Sequence, residues 1–172
     1  MLQLEGFTAN FVSVGNGKGL VTYTTGNFAH KKDIIEQEYQ ATMFSSATLD
    51  SIHVYRSARG SSLDLVETIL ELLEPNKATI VTGDFNICLD KELENVITTA
   101  FSEAGFKQLV TSPTHVGGGR IDHVYLRDPE KQLSGYDLTH YTPHYSDHDC
   151  LCLSFTTTVQ VNTFLMSVSS LH

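Results

Sequence analysis

Four short stretches carry residues that could move protons or hold charge. In GDFN, residues 83–86, Asp84 and Asn86 stand two apart and would point the same way on an extended segment. A carboxylate beside an amide can hold a metal ion and orient a water or a phosphate oxygen. The same residues also make an ordinary Asx turn leaving a strand. In RIDHVYL, residues 120–126, Asp122 sits at the mouth of an apolar run, where a last polar residue before the core is the plain alternative. In YSDHD, residues 145–149, His148 lies between Asp147 and Asp149. A histidine so placed suits proton transfer or phosphoryl-charge stabilisation once a carboxylate orients one ring nitrogen, the alternative being a solvated turn. The loop SPTHVGGGR, residues 112–120, brings Thr114, His115 and Arg120 that could touch a substrate, or simply turns on its glycines.

Other constellations are weaker. His140, His144 and His148 are spaced four apart, which on a helix would align three imidazoles for zinc, but Pro143 and the β-prone Tyr141 and Thr142 argue against a helix there. Cys88, Cys150 and Cys152 are an odd set with no CxxC, and read as buried free thiols rather than a disulfide or zinc site. GNGKG, residues 15–19, lacks the spacing of a phosphate-binding loop and no helix follows it; it reads as a hairpin turn.

The elements that must position these residues follow from periodicity. Residues 7–14 and 19–25 are β-rich runs flanking GNGKG, and 39–45 and 49–56 continue the pattern. Over 62–74 the period changes: Leu65, Val66, Ile69, Leu72 and Leu73 line one helical face, acids face away, and Pro75 stops the helix. ATIVTG at 78–83 carries no charge, as a strand buried on both faces would. Leu93, Val96, Ile97, Ala100, Phe101 and Ala104 repeat at helical spacing, and Gly105 suits a left-handed C-cap. Shorter strands are expected at 107–110, 121–126 and 149–156. Residues 1–156 read as one domain and 157–172, which lacks any charged side chain, as a last strand and tail.

Composition sets the outer bounds. At 172 residues with 41% hydrophobic residues, a domain can bury about 70% of its unfolded surface and needs no metal or disulfide staple. No apolar run is long enough to span a bilayer, and MLQLEGFTAN has neither the basic nor the apolar region of a signal peptide. The expectation is an intracellular protein, nuclear or cytoplasmic, with no membrane partner. The net charge of −9 opposes sequence-independent nucleic-acid binding. Most of it, however, falls within 63–105, where two lysines face nine acids. Lys18, Lys31, Lys32, Arg56, Arg59 and Arg120 are too scattered to define a basic track.

The three acid-bearing motifs GD-x-N, I-D-H-V-Y and S-D-H-D, in that order and with a helix between the first two, resemble the closing half of the endonuclease/exonuclease/phosphatase family. The resemblance covers roughly residues 17–156. It implies an α/β fold, a four-layer β-sandwich flanked by helices as in deoxyribonuclease, apparently lacking its N-terminal strands. It implies a phosphodiester hydrolase acting on nucleic acid with Mg²⁺ or Mn²⁺ as cofactor, in which Asp84 handles the proton of the attacking water or the leaving oxygen. Asn86 orients Asp84, Asp122 holds His148, His148 binds the scissile phosphate and Asp147 lies near the metal. Tyr55 in HVYRS and Arg120 would meet the substrate.

In the family, a strand bearing Asn and a Glu that is the principal metal ligand lie upstream of the hairpin. Here the one acid ahead of it is Glu5, to which that role is not transferred. This leads to the expectation of an N-terminally truncated chain, belonging to a larger parent protein with other domains. The alternatives are an inactive remnant serving as a binding or assembly module, and a phosphatase for a small phosphorylated substrate.

Overall fold

The computed structural model describes residues 5–15, 18–90, 96–157 and 165–167. Among the described residues, eleven strands and two helices run in chain order β1 (Thr8–Gly15), β2 (Lys18–Thr24), β3 (Ala29–Ile35), β4 (Tyr39–Ser45), β5 (Leu49–Arg56), α1 (Ser62–Leu70), β6 (Ala78–Asp84), α2 (Val96–Glu103), β7 (Lys107–Gln108), β8 (Asp122–Arg127), β9 (Leu133–Tyr141), β10 (Cys150–Thr157) and β11 (Leu165–Ser167). A six-stranded sheet in the order β3-β4-β5-β6-β8-β7 forms the centre. All its pairs are antiparallel except β5 with β6, which run parallel. The helical crossover through α1 makes that parallel step possible, since parallel neighbours cannot be joined by a tight turn.

Alternation along each central strand decides what covers the two faces. Ala41, Met43, Ile52, Val54, Val81 and Tyr125 point to one side and pack with Leu65, Val66 and Ile69 of α1 and Ile97 and Phe101 of α2. Leu49, Ile80, Val124 and Leu126 point to the other, where Leu133, Leu151, Leu153 and Phe155 meet them from β9 and β10. Beside that apolar half, the antiparallel hairpin β1–β2 lies over β4 and β5. The face under it is polar yet buried: Gln40, Thr42, Ser51 and His53 are each at most 2% exposed. His53 is satisfied there by Thr22 and Ser51 hydroxyls, each at 2.9 Å. The result is the α/β sandwich the motifs imply: helices, a central sheet, and a second β layer made of two small sheets.

The helices begin and end for local reasons. The Ser61 hydroxyl accepts the Asp64 N–H at 3.2 Å and caps α1. The α-helix ends at Leu70 rather than 74: the C-cap Glu71 N–H still reaches Glu67 O, and the chain then tightens to i→i−3 bonds from Leu72 and Leu73 before Pro75. Gly105 has φ +86° and the Phe106 N–H reaches back to Phe101 O at 2.8 Å, the expected left-handed close of α2. The first turn proposed for that helix, at Leu93, lies outside the described residues.

Two strands are new relative to the sequence reading. β3 is almost wholly exposed and β9 mostly so, and both are edge strands. Polar, charged edges resist pairing with other chains, and that same polarity hides them from a hydrophobic pattern. His140 sits in β9, which rules out a three-histidine helix. The three cysteines are free, Cys150 buried and the other two partly so. Of the stretch beyond 157, Leu165–Ser167 pairs with β10 and the rest lies outside the described residues. No helix among the described residues is long and apolar enough to cross a membrane.

Candidate active site

The parallel β5–β6 pair ends where the antiparallel β8 begins, and register does the rest. Tyr55 stands opposite Asp84, and Asp84 opposite Asp122. On the other side Tyr55 is paired with Gln40 of β4, so four polar side chains form a row across one end of the sandwich face. The chain reaches this arrangement through Gly83, whose φ of +145° no side chain adopts comfortably. A Cβ there would lie 1.8 Å from the Val54 carbonyl oxygen. Asn86 then turns the chain with φ +51°, a left-handed conformation that Asn tolerates. The Asn86 N–H donates to Asp84 Oδ1 at 2.9 Å, and its side-chain amide to Asp84 Oδ2 at 3.0 Å and Arg56 O at 2.8 Å. The buried Arg56 guanidinium ties down the same turn, donating to Phe85 O and Gly60 O. Arg56 is therefore part of the scaffold, not of a cationic surface.

Across the row, His148 Nδ1 lies 2.9 Å from Asp122 Oδ2 and 3.1 Å from Oδ1. Both side chains are largely buried, His148 at 11% and Asp122 at 6% exposure. That hydrogen bond, more than any other influence, raises the His148 pKa above its ordinary value, so the imidazolium is favoured. Asp84 moves the other way from a usual carboxylate: burial first, and the neighbouring charge of Asp122 second, push it up to about 7 against the opposing Asn86 hydrogen bonds. Tyr55, half in contact with this charge, is raised by burial and by Asp84. Asp84, Asp122 and His148 bring one donor atom each within 4.8 Å of one another.

The loop from 112 to 120 joins the site at its rim. Thr114 is fully buried, and its hydroxyl accepts the N–H groups of both Ile121 and Asp122 at 3.2 and 3.1 Å. Its carbonyl accepts the Asp149 N–H at 2.7 Å, and the Val116 N–H reaches Asp147 O at 2.9 Å. A short antiparallel bridge thus pairs His115 with His148. Asp147 is at the surface, its Oδ2 3.4 Å from His115 Nε2. Arg120 points away from the row: its guanidinium grips Asp90 at 2.6 to 3.0 Å and donates to Val110 O. His123, next to Asp122 in sequence, is fully buried, stacked on Phe85 with ring centroids 4.6 Å apart, and burial lowers it to about 4. Its role is in the core.

The geometry therefore gathers Asp84, Asn86, Asp122, His148 and Tyr55 at one end of the sheet, sets Asp147 at the rim and leaves Arg120 engaged elsewhere. It adds Thr114 as a buried tie between the motif strands, which nothing in the sequence pattern marks beyond its place beside His115. A buried carboxylate pair facing a histidine at strand ends is what remains to be matched to known proteins. The model of the endonuclease/exonuclease/phosphatase family matches residues 7–148. The chain belongs to that family.

Solved structures agree at the level of fold. The endonuclease domain of TRAS1, a telomere-specific non-LTR retrotransposon, superposes with a TM-score of 0.60 at 15% identity, covering 87% of this chain and 78% of that one. Truncated Caenorhabditis elegans TDP2 gives 0.58 at 14% identity, covering 84% and 74%. The cytolethal distending toxin of Haemophilus ducreyi gives 0.54 at 17% identity, covering 91% and 77%. No curated protein matches the sequence significantly. Membership of the family, together with this fold, makes a hydrolase of phosphoric esters the class of enzyme to which the chain is related.

Proposed function

We propose that the chain is a divalent-metal-dependent phosphodiesterase acting on nucleic acid. The observation that carries the reading is the Asp84–Asp122–His148 constellation: two facing buried carboxylates, one raised to about 7 and the other gripping a histidine through Nδ1. A side chain whose pKa lies near neutrality is matched to proton transfer at physiological pH. Asp84, oriented by Asn86, accepts the proton of the attacking water. Asp122 fixes the His148 ring, so that the imidazolium presents its remaining N–H to a non-bridging phosphate oxygen. Tyr55 contributes a hydroxyl to the same phosphate. Arg120, held by Asp90 and Val110 O, braces the 112–120 loop instead of meeting the substrate.

The donor set fits a hard divalent cation. Asp84 and Asp122 bring donor atoms within 4.8 Å of one on His148, and Asp147 does so from the rim together with His115; burial first and the charge of Asp122 second raise Asp84. Oxygen donors of this kind suit Mg²⁺ or Mn²⁺. Asp147 would lie near the ion, whose chemistry would be to polarise the phosphoryl oxygens and neutralise charge developing on them. Glu5, the acid ahead of the hairpin, is exposed.

Nucleic acid is favoured as the substrate by the likeness to a retrotransposon endonuclease domain. The test is nicking of supercoiled DNA and of a labelled oligonucleotide by the purified chain, with Mg²⁺ and with EDTA. Metal-dependent cleavage lost in Asp84→Ala and His148→Ala is the expected result. Cleavage unchanged in either variant would sink the assignment, and hydrolysis confined to small phosphomonoesters would replace the substrate.

A further inference from the structure

His115, Asp147 and His148 offer a second set of donor atoms within 4.8 Å of one another, outside the buried carboxylate pair. The cluster looks at first like a three-ligand metal site. A hydrogen bond behind it says otherwise. The Gly117 N–H donates to His115 Nδ1 at 2.9 Å. A backbone amide can only donate, so it occupies the Nδ1 lone pair and leaves the ring proton on Nε2. A nitrogen that carries a proton is no ligand, because metal binding needs a free lone pair. His115 therefore faces the site as a donor.

Its partner at rest is a poor one. Asp147 Oδ2 is 3.4 Å from His115 Nε2, longer than the 2.7–2.9 Å typical of a charge-assisted N–H···O⁻ bond. The ring is partly exposed and stands edge-on to His148, centroids 4.9 Å apart. The two imidazoles are fixed by opposite devices, His148 by a carboxylate on its Nδ1 and His115 by a backbone donor on its Nδ1. In both, Nε2 is the nitrogen left to meet a ligand.

We infer that His115 is a substrate-contacting residue that donates its Nε2–H to a non-bridging oxygen of the phosphodiester group His148 binds, exchanging the loose contact with Asp147 for that phosphate. The inference deepens the proposed function and rests on it for the substrate class. It also accounts for the first glycine of GGG. A Cβ on Gly117 would sit 2.9 Å from His115 Nδ1 and 3.3 Å from Cε1, so any larger residue displaces the ring from its orienting amide.

The test reads the ring directly and the chemistry separately. Long-range ¹⁵N–¹H correlation spectra of the full chain are expected to show His115 as the Nε2–H tautomer. Adding the dinucleoside monophosphate TpT in EDTA, where no turnover intrudes, is expected to move the His115 and His148 ring signals together. In hydrolysis of a DNA oligonucleotide, His115→Ala is expected to lose about 100- to 1,000-fold in kcat/KM, the usual cost of one transition-state donor. His115→Gln, whose amide N–H falls near the Nε2 position, is expected to recover most of that loss, and Gly117→Ala to fall between. An Nδ1–H tautomer, a ring unmoved by TpT, or a His115→Ala variant as active as the parent would each overturn the inference. If TpT moves both rings but the parent chain cleaves nothing, the His115 assignment stands while the proposed phosphodiesterase activity fails.

Discussion

Asp84 shows most directly how the role proposed for a residue and the stability of the fold can oppose each other. Its pKa in the fold, raised to about 7 from 3.8, means the folded state holds a proton that the unfolded chain has shed. The stability that protonated Asp84 supports is complete below about pH 4 and disappears as the pH rises to about 7. Above that, the fold carries a buried carboxylate pressed against Asp122. Asp84→Asn is therefore expected to abolish hydrolysis, a loss of about 10²-fold or more for a proton-transfer group, while stabilising the chain at pH 8 by about 1–3 kcal/mol. Urea unfolding of the two proteins side by side checks the second part. A less stable variant would mean that Asp84 gains more from Asn86 and His148 than it loses to Asp122.

At the level of elements, the decisive feature is the close approach of β6 to β5. Gly83→Ala forces a Cβ to within 1.8 Å of Val54 O and strains a φ of +145°. The expected outcome is a loss of about 3 kcal/mol or more, read as insoluble expression or a collapsed thermal transition, since relief requires parting the parallel strand pair. A variant that melts within a degree of the parent would show that the pair can slide.

Much of this architecture was legible before any coordinates. Uncharged ATIVTG announced the central buried strand, the spacing of Leu65, Val66 and Ile69 announced α1, and the order of the three motifs announced the family. β3 and β9 were not legible, because edge strands dressed in Lys, Asp, His and Thr carry no hydrophobic alternation. Among site residues, the acids and His148 declared themselves by type and position. Thr114 stood out only as a residue that could touch a substrate, whereas its buried hydroxyl satisfies two amides, a role no sequence pattern marks. Arg56, counted only among the scattered basic residues, is claimed by Phe85 O and Gly60 O, and Arg120, marked as a possible substrate contact, by Asp90 and Val110 O.

For the whole molecule, three buried groups among the described residues shape the expected acid response. Burial lowers His53 and His123 to about 4 in the fold. Between about pH 6.5 and 4 the unfolded chain therefore takes up two protons that the native state refuses. Asp84 works against them over the same interval, because there the native state holds the extra proton. His148, raised instead of lowered, is charged in both states below its unfolded pKa and drops out. The net difference of one proton predicts that stability falls by about 1.4 kcal/mol per pH unit on acidification, and by about twice that in Asp84→Asn. Denaturant midpoints measured from pH 7 to 4.5 on both proteins test the pair of slopes; equal slopes would show that Asp84 is not raised. Replacing His53 with Gln should flatten the parent's slope towards zero.

Thr114 binds three backbone amides on two strand mouths: Ile121 and Asp122 through its hydroxyl, and Asp149 through its carbonyl. These amides flank both halves of the Asp122–His148 contact. The two strand mouths consequently open together or not at all, as one unit of local unfolding. Thr114→Val, which keeps the shape and removes the hydroxyl, is expected to speed hydrogen exchange at Ile121 and Asp122 directly, and at Asp149 by the same factor through their shared opening. Exchange that rises at the first two alone would mean that each mouth breathes independently. If the three rise together, the lifetime of the assembled site is a property of one buried hydroxyl, and how often the Asp122–His148 contact is made can be tuned without touching either of its side chains.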